Sequence, residues 1–163
     1  MIPCGVDGVA RIGLMFLDGD DLEQVLIDQQ GYTDYRFEPF NRLRACLRKT
    51  EELDPDMDVS AILWRFIPDN DYVVEPLVCG NALPQTSWRR VFANEEQRAA
   101  YLQGKKTERV WKGKCVSHYY PMRNSNGVTV GLLELLVDRG YRRDADPCDM
   151  FMAPVEAPES DEE

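Results

Sequence analysis

The chain has 163 residues, of which 44% are apolar and 29% charged, which is the size and composition of one globular domain. The formal net charge of −10 is uneven along the chain, because all 19 Lys and Arg lie at or before Arg143 and eight acids follow it. The body is therefore close to neutral and lacks the concentrated basic surface that nucleic-acid binding requires. We predict a single domain over residues 1–143 and an acidic, disordered tail over residues 144–163.

Several protein classes are excluded by composition and missing motifs. No apolar run reaches the roughly 20 residues that cross a bilayer, and the N-terminus lacks the basic start of a signal peptide, so we expect a cytoplasmic protein. The five cysteines are scattered, which excludes a local zinc-binding spacing and favours reduced thiols, with a long-range disulfide left open. His118 is the single histidine, and no nucleophile or nucleotide-binding motif occurs. We therefore expect a protein that is not an enzyme and has no cofactor.

The first third of the chain has helical patterns. Residues 9–17 are almost entirely apolar and fit either a strand or a buried helix turn. Asp20 or Asp21 can begin a helix that ends at Gly31. Residues 37–53 carry apolar side chains at helical spacing and predict a further helix.

The pattern then changes to that of strands. Residues 59–67 are rich in branched and aromatic side chains, and residues 68–71 form a Pro-Asp-Asn-Asp turn sequence. Residues 72–78 resume with strand-forming residues. Two such segments separated by a short turn predict a β-hairpin.

A short helix with clear end signals follows the hairpin. Asn94 is a good N-cap, Gln97 is placed to complete a capping box, and Gly104 is a typical helix stop. The signals predict a helix over residues 94–103. Residues 87–92 fit an earlier helical turn.

The last predicted elements are three strands, over residues 107–111, 114–122 and 128–137. Asn126-Gly127 separates the last two and is a strong hairpin signal, because such turns need positive φ angles. Glu134 is the single charge of the final strand, so both of its faces look covered. The order of elements predicts an α+β fold with a central antiparallel sheet of about five strands and helices packed on it.

Residues 99–138 resemble the second half of a Cache sensor domain, a family that is similar in outline to PAS domains. The resemblance lies in the order of four short pieces: Leu102-Gln103-Gly104-Lys105, Tyr119-Tyr120-Pro121-Met122, Asn126-Gly127 and Val130-Gly131-Leu132-Leu133. It implies a Cache- or PAS-like fold, a role in signal transduction, and a small-molecule pocket lined by inward-facing strand residues.

Trp64, Arg65 and Phe66 lie on one predicted strand, with the two aromatic side chains on one face and Arg65 on the other. The resemblance implies that inward residues here line the pocket, and an arginine facing it could hold a carboxylate with two hydrogen bonds. The alternative is that the aromatic residues are core and Arg65 faces solvent.

Two further pairs complete the predicted ligand site. Trp88 and Arg89 stand at a loop-to-helix junction that borders the ligand in sensor domains of this type, or are an anchoring Trp beside a surface cation. His118 and Tyr120 lie on a predicted central strand. His118 is a ligand contact, a haem ligand by analogy with the haem-binding PAS sensors that the resemblance brings in, or an ordinary sheet histidine.

We expect a small-molecule-sensing domain that binds a small anionic organic ligand and acts on a signalling partner protein. The alternative is an interaction or scaffold module whose acidic tail binds a basic partner. A homodimer is left open in both cases, and neither nucleic acid nor a membrane span is expected.

Overall fold

The computed structural model describes residues 5–25, 38–67, 69–80, 90–111 and 115–138. Within them lie four helices: α1 (Gly5–Phe16), α2 (Gly19–Gln24), α3 (Glu38–Glu51) and α4 (Glu95–Gln103). The apolar segment at residues 9–17 is therefore helical. The helix predicted to end at Gly31 ends at Gln24, because the N–H of Val25 closes its last turn on the carbonyl of Leu22; residues 26–31 lie outside the described part.

The described strands form a single six-stranded antiparallel sheet in the order β3-β2-β1-β6-β5-β4. The strands are β1 (Val59–Ile67), β2 (Asn70–Cys79), β3 (Val91–Phe92), β4 (Thr107–Val110), β5 (Cys115–Arg123) and β6 (Thr129–Asp138). The α+β class with a central antiparallel sheet is confirmed. The prediction of about five strands was one too few.

The additional strand, β3, is two residues long. Two residues are too few to show the alternating pattern from which a strand is predicted. Val91 and Phe92 pair with Val74 and Val73 of β2, and the N–H of Ala93 bonds to the carbonyl of Tyr72 at 2.8 Å. The helical turn predicted over residues 87–92 is wrong at its end, where the chain is extended. Residues 87–89 lie outside the described residues.

Helix α4 begins and ends as its sequence predicts. The side chain of Asn94 accepts from the N–H of Gln97 at 2.7 Å, and the side chain of Gln97 accepts from the N–H of Asn94 at 3.0 Å. Gly104 ends the helix at φ 69°, with its N–H on the carbonyl of Ala100 at 2.9 Å. These bonds satisfy backbone groups that a helix end leaves unpaired.

The β5–β6 hairpin closes through the predicted Asn-Gly turn. The N–H of Gly127 bonds to the carbonyl of Asn124 at 3.0 Å, and Gly127 has φ 79°. Asn126 keeps a negative φ, since Asp69 is the non-glycine residue recorded with a positive value among the described residues. The turn is therefore a three-residue loop with a glycine bulge.

The sheet is covered on both faces. Helices α1, α2 and α3 pack on one face, which we call the three-helix face, and meet Ala61 and Leu63 of β1 there. Helix α4 packs on the other face, which we call the α4 face, and meets Ile62, Trp64 and Phe66 of the same strand. The alternation of β1 side chains thus separates two apolar clusters.

Candidate functional site

A group of polar and aromatic side chains lies on the α4 face at the centre of the sheet. Trp64 of β1 donates its indole N–H to Glu134 Oε1 of β6 at 2.7 Å. The Ser117 hydroxyl of β5 donates to Glu134 Oε2, and Ser117 Oγ accepts the indole N–H of Trp111 at 2.7 Å. We call these four residues and Tyr119, which neighbours them on β5, the Glu134 cluster.

The electrostatics of the cluster follow from its burial. Glu134 is 0% exposed, and this burial raises the pKa of its carboxyl to about 7, although the hydrogen bonds from Ser117 and Trp64 act in the opposite direction. Burial, and next the charge of Glu134, raise the pKa of the Tyr119 phenol well above its usual value. The carboxyl can therefore change its charge near neutral pH, whereas Tyr119 stays a neutral phenol.

The segment that carries α4 contacts the edge of the cluster. Asn94, the N-cap of α4, donates its side-chain N–H to Tyr119 Oη at 3.1 Å. Arg109 of β4 bonds to Glu96 of α4 at 3.0 Å, and its guanidinium lies 4.8 Å from the centre of the Trp111 ring. An ion pair and a hydrogen bond thus tie α4 to the strands that hold the cluster.

A surface depression of about 310 Å³ lies on the same side of the sheet, near the β1–β2 turn. Phe66 and Tyr101, stacked with their ring centres 4.1 Å apart, form part of it. The other lining residues are Ile67, Asp69, Asn70 and Asp71. Because Phe66 shares a face of β1 with Trp64, the depression and the Glu134 cluster lie along one strand.

Of the six residues predicted from the sequence, Trp64 lies in the cluster and Arg65 does not. As predicted, Arg65 occupies the other face of β1. Its guanidinium donates to the carbonyls of Val25 and Leu22 at 2.9 and 3.2 Å and reaches Glu75 at 3.5 Å. Arg65 therefore holds the end of α2 against the sheet.

His118 and Tyr120 lie on the three-helix face. The Tyr120 hydroxyl donates to Asp7 of α1 at 2.7 Å, and Lys106 reaches the same carboxylate oxygen at 2.8 Å. Hydrogen bonds from Lys106 and Tyr120 lower the pKa of Asp7, while burial and the bond to Asp7 raise the pKa of the Tyr120 phenol. His118 Nδ1 is 3.7 Å from Glu108. These contacts attach α1 to β5.

Trp88 and Arg89 lie outside the described residues, and the next residue, Arg90, bonds to Glu75 at 3.1 Å. The four described members of the predicted site are therefore divided, with Trp64 on the α4 face and the rest on the three-helix face. Glu134, Ser117 and Trp111 were missed. The signal that could have found Glu134 is a lone acid within the apolar strand VTVGLLELLV.

Within the described ranges, no helix is both long and apolar enough to cross a membrane. Among the same residues, no group of three or more His, Cys, Asp and Glu side chains is placed to hold a metal ion. Comparison of the sequence with protein-family models gives no match, and neither does comparison with curated proteins. The interpretation of the site therefore rests on its own geometry.

Proposed function

We propose that this chain is a non-catalytic regulatory domain that senses a small molecule on the α4 face of its sheet. The observation that carries the proposal is the Glu134 cluster. A carboxyl buried in the centre of a sheet costs stability that an apolar residue would not, and polar groups with such perturbed pKa values are concentrated at functional sites. The cluster lies beneath a helix of only nine residues, which a ligand could displace.

The resemblance supports a Cache- or PAS-like form of the fold. The quoted pieces occur as a short helix that stops at Gly104, strand β4, strand β5 with its Tyr-Tyr-Pro-Met sequence, a glycine turn and strand β6. The leading helix α3 and the β1–β2 hairpin precede them in the expected order. We therefore keep this architecture as part of the proposal.

An anionic small molecule remains the proposed ligand class, but a different arginine now supports it. The guanidinium of Arg65 already donates to two backbone carbonyls and to Glu75 on the three-helix face. Arg109 lies on the α4 face, where its ion pair with Glu96 connects the sheet to α4. A ligand carboxylate that took the place of Glu96 would release this connection, which gives binding a structural consequence.

The test is a thermal-shift screen of carboxylic acids, amino acids and nucleotides against wild type, Arg109→Ala and Arg65→Ala. Ligand at about 100 times its dissociation constant stabilises a fold by about 2.7 kcal/mol, which such a screen detects. We expect the shift to be lost in Arg109→Ala and kept in Arg65→Ala. Absence of a shift with every compound, together with a purified protein that carries no small molecule in native mass spectrometry, would overturn the proposal.

A second candidate function, an interaction module, has a specific observation in its favour. Trp64, Tyr119 and Glu134 are 1%, 0% and 0% exposed, so protein atoms already fill the space beside them. Met15 and Phe16, at the end of α1, are 73% and 68% exposed, as in a contact surface. A homodimer in sedimentation experiments that dissociates in Phe16→Ser would favour this candidate over the sensor.

A further inference from the structure

A continuous path of hydrogen bonds joins the centre of the sheet to its edge. Trp111, directly after edge strand β4, donates to Ser117 of β5, and Ser117 donates to Glu134 of the inner strand β6. Trp64 of β1 donates to the other oxygen of the same carboxyl at 2.7 Å. The Glu134 carboxyl is therefore linked directly to β1 and β5 and, through Ser117, to the end of β4.

The direction of these bonds depends on the protonation of Glu134. An indole nitrogen can only donate, and Ser117 uses its one hydrogen on Glu134, so both carboxyl oxygens must accept. A proton on Oε1 would oppose the N–H of Trp64. A proton on Oε2 would be donated to Ser117, whose own hydrogen would then have to turn away from Glu134.

The other ionisable groups described on this face lie on β2, β4, β5 and α4, with Asp138 at the end of β6 opposite Cys115. Arg109 of β4 and Glu96 of α4 form an ion pair at 3.0 Å and neutralise each other. Burial raises the pKa of the Cys115 thiol, as it does that of Tyr119. The remaining ionisable side chains of this apolar cluster are Cys79 and Tyr101.

We propose that Glu134 is a proton-operated switch, in which gain or loss of one proton at its carboxyl rearranges Ser117 and thereby moves Trp111 at the end of β4. The proton comes from solvent and returns to it, so no other reactant is needed. The switch thus converts a charge change at the sheet centre into a change at Trp111, which directly follows edge strand β4, independently of whether a small molecule binds.

The pH at which the switch operates lies within the physiological range, since burial raises the pKa of Glu134 to about 7. The single histidine is the group that could imitate such a transition. His118 lies on the opposite face of β5 beside Glu108, away from both indoles of the cluster. A tryptophan signal therefore distinguishes the two groups when each is substituted in turn.

The experiment is a fluorescence titration of the full chain between about pH 5 and about pH 9. Trp88→Phe serves as the background, so that emission comes from Trp64 and Trp111, both of which belong to the cluster. We expect a one-proton transition with its midpoint near the pKa of about 7. Glu134→Gln keeps a hydrogen-bonding amide in place but cannot titrate, and its emission should stay constant over the range.

His118→Asn in the same background is the matched control and should keep the transition. Loss of the transition in this control, or its survival in Glu134→Gln, would overturn the proposal. Where Glu134→Gln does not fold, carbon NMR of the wild-type glutamate carboxyls decides instead. The proposal then requires that one glutamate carboxyl titrates near neutrality, well apart from the others. A spectrum in which all of them titrate in the ordinary acidic range would overturn the proposal.

Discussion

Glu134 is the buried charged side chain of β6, and its burial links the stability of the protein to pH. The folded-state pKa of about 7 lies above the usual 4.5. Between these two values the folded state binds the proton more tightly than the unfolded chain does. The stabilisation of the folded state by proton binding at Glu134 is therefore fully present below about pH 4.5. It falls as the pH rises and is lost above about pH 7.

We expect Glu134→Gln to abolish the loss of stability that accompanies deprotonation of Glu134. A difference of about 2.5 pKa units corresponds to roughly 3 kcal/mol between the two plateaus. Urea unfolding at about pH 5 and about pH 8 captures most of this difference as a change in the free energy of unfolding, because about pH 5 lies just above the lower plateau. Relative to wild type, the variant should gain stability at the higher pH; equal pH dependence in the two proteins would contradict the prediction.

A second residue-scale prediction concerns Gly131 of β6, which lies against the backbone of β1. A Cβ at this position would stand 2.4 Å from the carbonyl oxygen of Trp64, and backbone cannot move aside easily. We expect Gly131→Ala to cost about 1–3 kcal/mol or more. Gly127→Ala is the comparison: nothing lies within 4 Å of its Cβ, but φ is +79°, so about 1 kcal/mol is expected. Equally small decreases in the free energy of unfolding of the two variants, measured with urea, would contradict the close contact at Gly131.

At the scale of elements, the connection of α4 to the sheet depends on Asn94. Its side chain caps the helix by accepting from Gln97 and also donates to Tyr119 of β5. We expect Asn94→Ala to destabilise the protein by about 1–2 kcal/mol, since an N-cap alone contributes about 0.5–2. The exposed Glu95→Ala, one residue further on, is the control and should change stability by less than about 0.5 kcal/mol. Thermal unfolding of both variants is the measurement.

Elements with signals in neighbouring residues were predictable. The capping box and stop of α4 and the extent of β1 follow from local chemistry, and the structure has them as predicted. The Asn-Gly turn lies where it was predicted, but Gly127 has a positive φ and Asn126 does not. Residues 9–17 fitted helix or strand equally, because a continuous apolar run has no period, and packing against α3 and the sheet decides for helix. The candidate site depends on distant pairings, such as Ser117 with Leu136 and Ile62 with Glu134, which no local pattern contains.

At the scale of the whole molecule, the charge asymmetry of the sequence gives a further prediction. Residues 150–163 lie outside the described residues, and from Ala153 onward they are acidic and low in apolar side chains. Such a segment buries little surface, so its deletion should leave the melting temperature within about 2 °C. Calorimetry of the two chains measures this. A larger drop would show that Met150, Phe151 and Met152 pack on the body.

The pairing of β1 with β6 also determines when the protein can fold during its synthesis. Trp64 and Glu134 are 70 positions apart, yet their strands are neighbours in the middle of the sheet. A ribosome that adds about 5–20 residues per second needs about 4–14 seconds to span that distance. Until then β1 has one uncovered edge, which is a site for aggregation. The closure of this long loop should therefore set the folding rate, and a nascent chain should depend on chaperones until β6 emerges.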